Sequence, residues 1–246
     1  MGVPTLGCDC EVCTSDDARN RRSRPSIAVE WDGHLAVIDT GQDFREQALR
    51  EHIRHIDAVL YTHPHADHIL GMDDLRPLSF HRENGPIPLY ADDATAGVLE
   101  RIFAYTFSPK TKYPTRARVE LRRLNGEDSV EIEGLRFQRV PLLHGDLAVA
   151  GYRFGSAAYL TDMNAIPESS MPLLADVDVL IIDALRWQVH PSHNNVDEAL
   201  KWIERVGPRR AFFTHIAHEL DHAKTEAKLP ANVRLAYDGQ RIGFEF

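Results

Sequence analysis

Apolar and polar positions divide this 246-residue chain into short, sharply bounded elements. Residues 26–31 and 34–39 flank Asp32-Gly33, a hairpin turn signal, and predict two paired strands. Residues 57–62 (DAVLYT) and 177–184 (VDVLIIDA) are nearly continuous apolar runs, the pattern of strands covered on both faces. Further strands are predicted at 87–91, 119–124, 129–133, 135–143, 149–154, 157–161 and 210–214, with a final pair over 233–246 around Asp238-Gly239. Residues 196–206 place Ala199, Leu200, Ile203 and Val206 on one face of a helix. Other helices are predicted at 44–52, 68–80, 92–104, 167–175 and 219–228. Residues 106–118 (TFSPKTKYPTRAR) are basic, are broken by Pro109 and Pro114, and predict a surface flap. Two β-rich halves that each carry helices predict an α+β class, a sheet sandwich with helices on its outer faces.

The run 57–62 leads into HPHADH, which places His63, His65, Asp67 and His68 within six positions. His63 and His65 are two apart on extended chain, so their rings leave on the same side. Asp67 and His68 enter the following helix. A buried strand thus delivers four metal-ligating groups at its C-terminal end, where open α/β sheets place their sites. Imidazole with carboxylate suits zinc, manganese or iron. The arrangement recurs: Asp39, His144, Asp162 and His215 each close a predicted apolar strand.

A second cluster is Cys8, Cys10 and Cys13, a C-x-C-x-x-C. Three thiols this close are a poor disulfide framework and more often hold metal. A structural zinc takes four ligands, and His218 and His222 in THIAHELDH are the candidates for the fourth.

Charge and composition narrow the class. A net charge of -9 argues against a nucleic-acid partner. No apolar run nears the ~20 residues needed to span a bilayer. The N-terminus lacks the basic and apolar regions of a secretory signal, and Leu6 stands where a myristoylation motif wants Ser or Thr. The expectation is a cytoplasmic protein with no membrane partner. Its 246 residues suit one large domain or two small ones, and the expectation is a single domain over 1–246, with a cysteine-containing loop at 1–25 and the flap at 106–118. Arg19, Arg21, Arg22 and Arg24 read as a solvated face.

The set H-x-H-x-D-H (His63, His65, Asp67, His68) followed by His144, Asp162 and His215 resembles the metallo-β-lactamase superfamily over nearly the whole chain. The C-x-C-x-x-C after Gly2-Val3-Pro4, with the later T-H-x-x-H, looks like its PhnP-like branch. The resemblance implies a four-layer αββα sandwich and two catalytic divalent metals, zinc or manganese. One would take His63, His65 and His144. The other would take Asp67, His68 and His215, with Asp162 bridging and Asp39 supporting the ligands. A structural zinc would take Cys8, Cys10, Cys13 and His218. His193, in VHPSHNNVDEAL, is the expected general acid. Asp67 counts with it as catalytic, Asp197 would orient His193, and His190 is the fallback acid. Relatives begin with a β-strand before Gly-Val-Pro, so an N-terminal edge strand is missing here or the native start lies upstream of Met1.

The implied activity is phosphodiester hydrolysis of a small cyclic phosphate, either a phosphoribosyl cyclic phosphate or a cyclic nucleotide. Two alternatives share the pattern. One is a tRNA 3′-processing-type nuclease, disfavoured by the acidic balance. The other is a non-catalytic PQQ-accessory-like metal-binding protein, disfavoured because all seven ligand positions are filled. The sequence is silent on oligomeric state, and the resemblance allows a homodimer.

Overall fold

The computed structural model describes residues 2–110, 112–124 and 129–246. The chain divides into two compact units, a central one over Arg24–Leu135 and a terminal one formed by Met1–Ser23 with Arg136–Phe246.

In the central unit, β1 (Ile27–Trp31) and β2 (His34–Ile38) form an antiparallel hairpin with Trp31 opposite His34. Asp32 and Gly33 both have positive φ (43° and 84°), as a two-residue hairpin turn of the right hand requires. α1 (Phe44–Arg50) follows. β3 (Ala58–Leu60), β4 (Ile87–Ala91) and β5 (Val119–Arg123) add in parallel, giving the order β1-β2-β3-β4-β5. Between them lie α2 (Ala66–Ile69), α3 (Arg76–Phe80), α4 (Asp93–Ile102) and α5 (Ala104–Phe107); β6 (Ser129–Ile132) follows along the chain and is not a strand of this sheet. Asp92 caps α4 by accepting from the Thr95 N–H at 2.8 Å. Val37, Val59, Tyr61 and Leu89 from the sheet pack with Ile69, Met72, Leu75, Ala96 and Leu99 from the helices. Each large apolar side chain buried there contributes about 1.5–3 kcal/mol.

The helix expected over 68–80 is in fact two short α-helices, α2 and α3, separated by a 3₁₀ turn at Met72–Leu75. The Gly71 N–H leaves the helical ladder and donates to Thr40 O at 2.8 Å.

In the terminal unit, β7 (Leu135–His144), β8 (Leu147–Phe154) and β9 (Ala157–Leu160) pair antiparallel. β10 (Val179–Asp183), β11 (Arg210–Thr214) and β12 (Val233–Leu235) then add in parallel, in the order β12-β11-β10-β9-β8-β7. α6 (Val196–Val206) opens on a capping box. The Asn195 side chain accepts from the Glu198 N–H (2.8 Å) and the Glu198 carboxylate accepts from the Asn195 N–H (3.1 Å). α6 buries Val196, Ala199 and Ile203 among Leu180, Ile182 and Phe213. α7 (His222–Glu226) is the last helix.

Three expectations here need correction. The predicted helix over 167–175 is 3₁₀ (Glu168–Leu174), because Pro172 inside it has no N–H for an α ladder. The helix over 219–228 shortens to α7, because Asp221 stops the chain there and caps it by accepting from the Lys224 N–H. The strand pair over 233–246 reduces, among the described residues, to β12 alone. Its turn residue Asp238 instead accepts from the Ser23 N–H and hydroxyl, and Glu245 bonds to Ser156.

The N-terminal segment is tied into this unit. Val3 pairs with Arg22 in an isolated bridge. The buried Arg22 guanidinium donates to Ala217 O (3.1 Å) and Leu220 O (2.7 Å). No helix among the described residues is long and apolar enough to cross a membrane.

Candidate metal centres and active-site groups

In the central unit the parallel register Ile38↔Leu60 places the residues after β2 beside those after β3. Asp39, fully buried, accepts from the Thr62 N–H at 2.8 Å, the Thr62 hydroxyl at 2.8 Å and His68 Nδ1 at 2.7 Å. Thr62 has one hydroxyl proton and gives it to Asp39. His63 Nδ1, 3.0 Å from Thr62 Oγ1, is therefore the donor of that contact. Both His63 and His68 thus carry their proton on Nδ1 and present Nε2 as a lone pair, the way imidazoles are oriented for metal. His63 Nε2 lies 3.0 Å from His65 Nδ1, two ring nitrogens converging on one point. Asp67 sits with His68 in the single turn of α2.

Two glycines let this loop pack. A Cβ on Gly41 would stand 2.1 Å from Asp67 O, and one on Gly71 would stand 2.0 Å from Gly41 O. The Thr40 N–H donates to His68 O at 2.7 Å across the same contact.

In the terminal unit the registers Ile182↔Leu160 and Asp183↔Thr214 bring the C-terminal ends of β9, β10 and β11 to one level. Asp162, Asp183 and His215 stand there, at the edge where parallel sheets carry their sites. Asp162 Oδ1 is 3.0 Å from His215 Nε2. His193 stacks on His215, with centroids 4.7 Å apart and planes at 15°. Ligand atoms of Asp162, His193 and His215 lie within 4.8 Å of one another. His144 Nδ1 is 2.6 Å from Ser192 O, and a carbonyl only accepts, so His144 presents Nε2. Asp39, Asp162 and His215 all have positive φ (65°, 48° and 55°), a region uncommon for non-glycine residues in which Asp and His are enriched. Such left-handed non-glycine residues cost on the order of 1–3 kcal/mol each and cluster at functional sites.

The residue that sequence reasoning missed is Asp183. It is fully buried, its Oδ2 lies 3.1 Å from His193 Nδ1, and that oxygen also accepts from the Met163 and Asn194 N–H groups at 3.2 and 3.3 Å. Burial pushes its carboxyl well above the ordinary range, while His215 opposes the shift. Asp183 takes the place expected of Asp197, which is exposed on the first turn of α6. The available signal was the one used for the other ligands, an acid closing an apolar strand.

The cysteine loop forms its own cluster within the terminal unit. His218 Nδ1 is 3.2, 3.4 and 3.6 Å from the sulfurs of Cys8, Cys10 and Cys13. The edges of a tetrahedron drawn with zinc–ligand bonds of ~2.0–2.3 Å are ~3.3–3.8 Å, so this donor set fits zinc. The Cys13 N–H, with help from His218, draws the Cys10 thiol down to about 6. The Cys10 N–H also pulls on Cys8, but the Cys10 sulfur, burial and Cys13 outweigh it, and Cys8 is raised. One thiolate disfavours its neighbour, and a cation relieves that conflict. The other candidate, His222, points elsewhere. Its ring Nε2 lies 3.6 Å from Glu226 Oε1, and its backbone N–H donates to Asn20 Oδ1 at 2.9 Å.

Residues 34–216 match the model of the β-lactamase superfamily domain, and the chain belongs to that superfamily and has its metallo-β-lactamase fold. Within it the chain sits in the PhnP-like branch. A crystal structure of a new diphosphatase from the PhnP family is 49% identical, covers 100% of this chain and 94% of its own, and matches with a TM-score of 0.93. An octanoyltransferase of Porphyromonas gingivalis is 34% identical over 241 residues, 97% of this chain and 48% of that protein. A ribonuclease Z of Methanococcus maripaludis is 26% identical over 132 residues, 52% of this chain and 42% of that protein. The chain spans about half the length of the curated relatives it matches.

Proposed function

We propose that this protein is a metal-dependent phosphodiesterase acting on a small cyclic phosphate, a phosphoribosyl cyclic phosphate or a cyclic nucleotide. The observation that carries the reading is the orientation of the imidazoles. His63, His68 and His144 each commit Nδ1 to a hydrogen bond, the orientation that aims Nε2 at a cation. In this reading His63, His65 and His144 would hold one metal, Asp67, His68 and His215 would hold the other, Asp162 would serve both, and Cys8, Cys10, Cys13 and His218 would hold a structural zinc. Metals so held supply a water acidic enough to ionise near neutral pH and positive charge for the phosphoryl oxygens. Asp39 keeps the His63 and His68 rings in one tautomer, the first through Thr62. His193 donates Nδ1–H to Asp183, so the proton for the leaving oxygen travels on His193 Nε2.

The 49% identical PhnP-family diphosphatase supports attack at phosphorus in general, and favours a second reading in which a phosphoric anhydride is the bond cleaved. The octanoyltransferase name belongs to a protein about twice as long and is not carried across. One panel separates the readings: a phosphoribosyl 1,2-cyclic phosphate, a 2′,3′-cyclic nucleotide and a dinucleoside diphosphate, each with added manganese or zinc. A cyclic phosphate turned over with the highest kcat/KM supports the phosphodiesterase. Turnover of the diphosphate alone replaces it with the anhydride reading.

A further inference from the structure

The flap joining α5 to β5 carries Lys110, Lys112, Arg116 and Arg118 and no acidic residue, in a chain of net charge -9. It is anchored at its base. Arg116 donates to Ser108 O at 3.2 Å, the Arg118 N–H donates to Ser79 Oγ at 2.9 Å, and the Arg118 guanidinium lies 5.5 Å from the Phe80 ring centroid. Lys110 and Lys112 form no ion pair among the described residues. The flap brings Tyr113 edge to face with Tyr105 of α5, at 6.2 Å and 88°. Both tyrosines are exposed, at 47% and 38%. With Arg76, the first residue of α3, they line an open cavity of about 400 Å³ inside the central unit. That volume falls in the ~300–1,000 Å³ range of small-ligand sites.

Arg76 is the cation of this cavity, its side chain 35% exposed and that of its partner Asp73 31%. Its one ionic contact among the described residues is Asp73 Oδ2 at 3.6 Å, too long for a hydrogen bond. A guanidinium fork with open donors matches a phosphate. Two exposed tyrosines set at a right angle offer a ring face and a wall, and every nucleobase has a π-face to stack on such a ring. Burial, and Asp73 beside it, push the Tyr105 phenol up to about 12, so the ring stays neutral, and Asp73 is the acid a phosphate on Arg76 would have to sit beside.

We propose that the Arg76–Tyr105–Tyr113 cavity binds a nucleoside phosphate, its base on the tyrosines and its phosphate on Arg76. The inference rests on the phosphodiesterase reading for the ligand's role as substrate, and narrows that reading to the nucleotide class. Binding is measured apart from turnover, by calorimetry on the full chain with AMP and with ribose 5-phosphate as the base-free probe. AMP is expected to bind about 5- to 150-fold more tightly than ribose 5-phosphate, the range of one base–aromatic stack. That preference falls toward one in Tyr113→Ala and in Tyr105→Ala, while Arg76→Gln weakens both ligands. Equal affinity for the two ligands overturns the proposal, as does a preference that survives both tyrosine replacements. A preserved AMP preference with no hydrolysis of any phosphoester overturns the reaction but upholds the subsite, and hydrolysis without the preference does the reverse.

Discussion

The contact between Gly41 and the ligand loop makes the sharpest structural prediction. Replacing Gly41 with alanine puts a methyl carbon 2.1 Å from Asp67 O, about 1.3 Å inside the 3.4 Å at which ordinary contact begins. The atom struck is backbone, so no side chain can rotate away. Either the loop carrying Asp67 and His68 moves, or the Thr40 N–H to His68 O and Gly71 N–H to Thr40 O bonds lengthen. Two backbone hydrogen bonds at about 0.5–1.5 kcal/mol each, plus backbone strain, put the loss near 2–4 kcal/mol. A ligand displaced by about 1 Å lowers catalysis by ~100-fold. Urea denaturation reads the first effect and metal-dependent phosphodiester hydrolysis the second. Gly97→Ala is the control. It lies within α4, and a Cβ there meets nothing within 4 Å, so it is expected to stabilise by about 0.5–1 kcal/mol. Gly41→Ala with wild-type stability and wild-type turnover would refute the claim that close backbone packing positions this loop.

Two further predictions concern the terminal unit. His193→Ala is expected to lower kcat by about 100- to 10,000-fold on a substrate with an alkoxide leaving group, and far less when p-nitrophenolate leaves, because only the first needs a proton; equal losses on both would remove His193 from the acid role. In the cysteine cluster, Cys8 is still protonated in the metal-free protein at neutral pH, so zinc uptake releases a proton there. Below about 6 the Cys10 thiol is protonated as well, so affinity falls more steeply as the pH drops through that value. Competition with a chromogenic chelator from pH 5 to 8 measures this, and an affinity independent of pH would contradict thiolate ligation.

Much of this was legible in the sequence because parallel strands end abruptly in polar residues. DAVLYT before His63 and AFFT before His215 show the same pattern, and the structure places these groups at the C-terminal ends of β3 and β11. Asp183 escaped notice because VDVLIIDA reads as one continuous strand through Ala184, whereas β10 stops at Asp183 itself. The break in the helix after His68 was hidden for a different reason. Gly71 sits in an acceptable helical pattern, and only the approach of Gly41, thirty residues earlier in the chain, diverts its N–H. The Arg76–Tyr105–Tyr113 cavity gathers residues from three separate elements and leaves no periodic trace. The cysteine cluster was legible as a donor set. Its spacing alone left His218 and His222 open, the family resemblance chose His218, and the structure places the His218 ring against the three sulfurs.

The central claim is metal-dependent hydrolysis at phosphorus by the His/Asp set. The most direct test is release of p-nitrophenol from bis-p-nitrophenyl phosphate, with manganese or zinc added, by wild type and His65→Ala. His65 is exposed and caps α2 without a side-chain hydrogen bond to its backbone, so its replacement is expected to remove a ligand and leave the fold intact. The account predicts release that requires metal and is lost in the variant. No release with either metal, from protein shown to retain its metals, would contradict it.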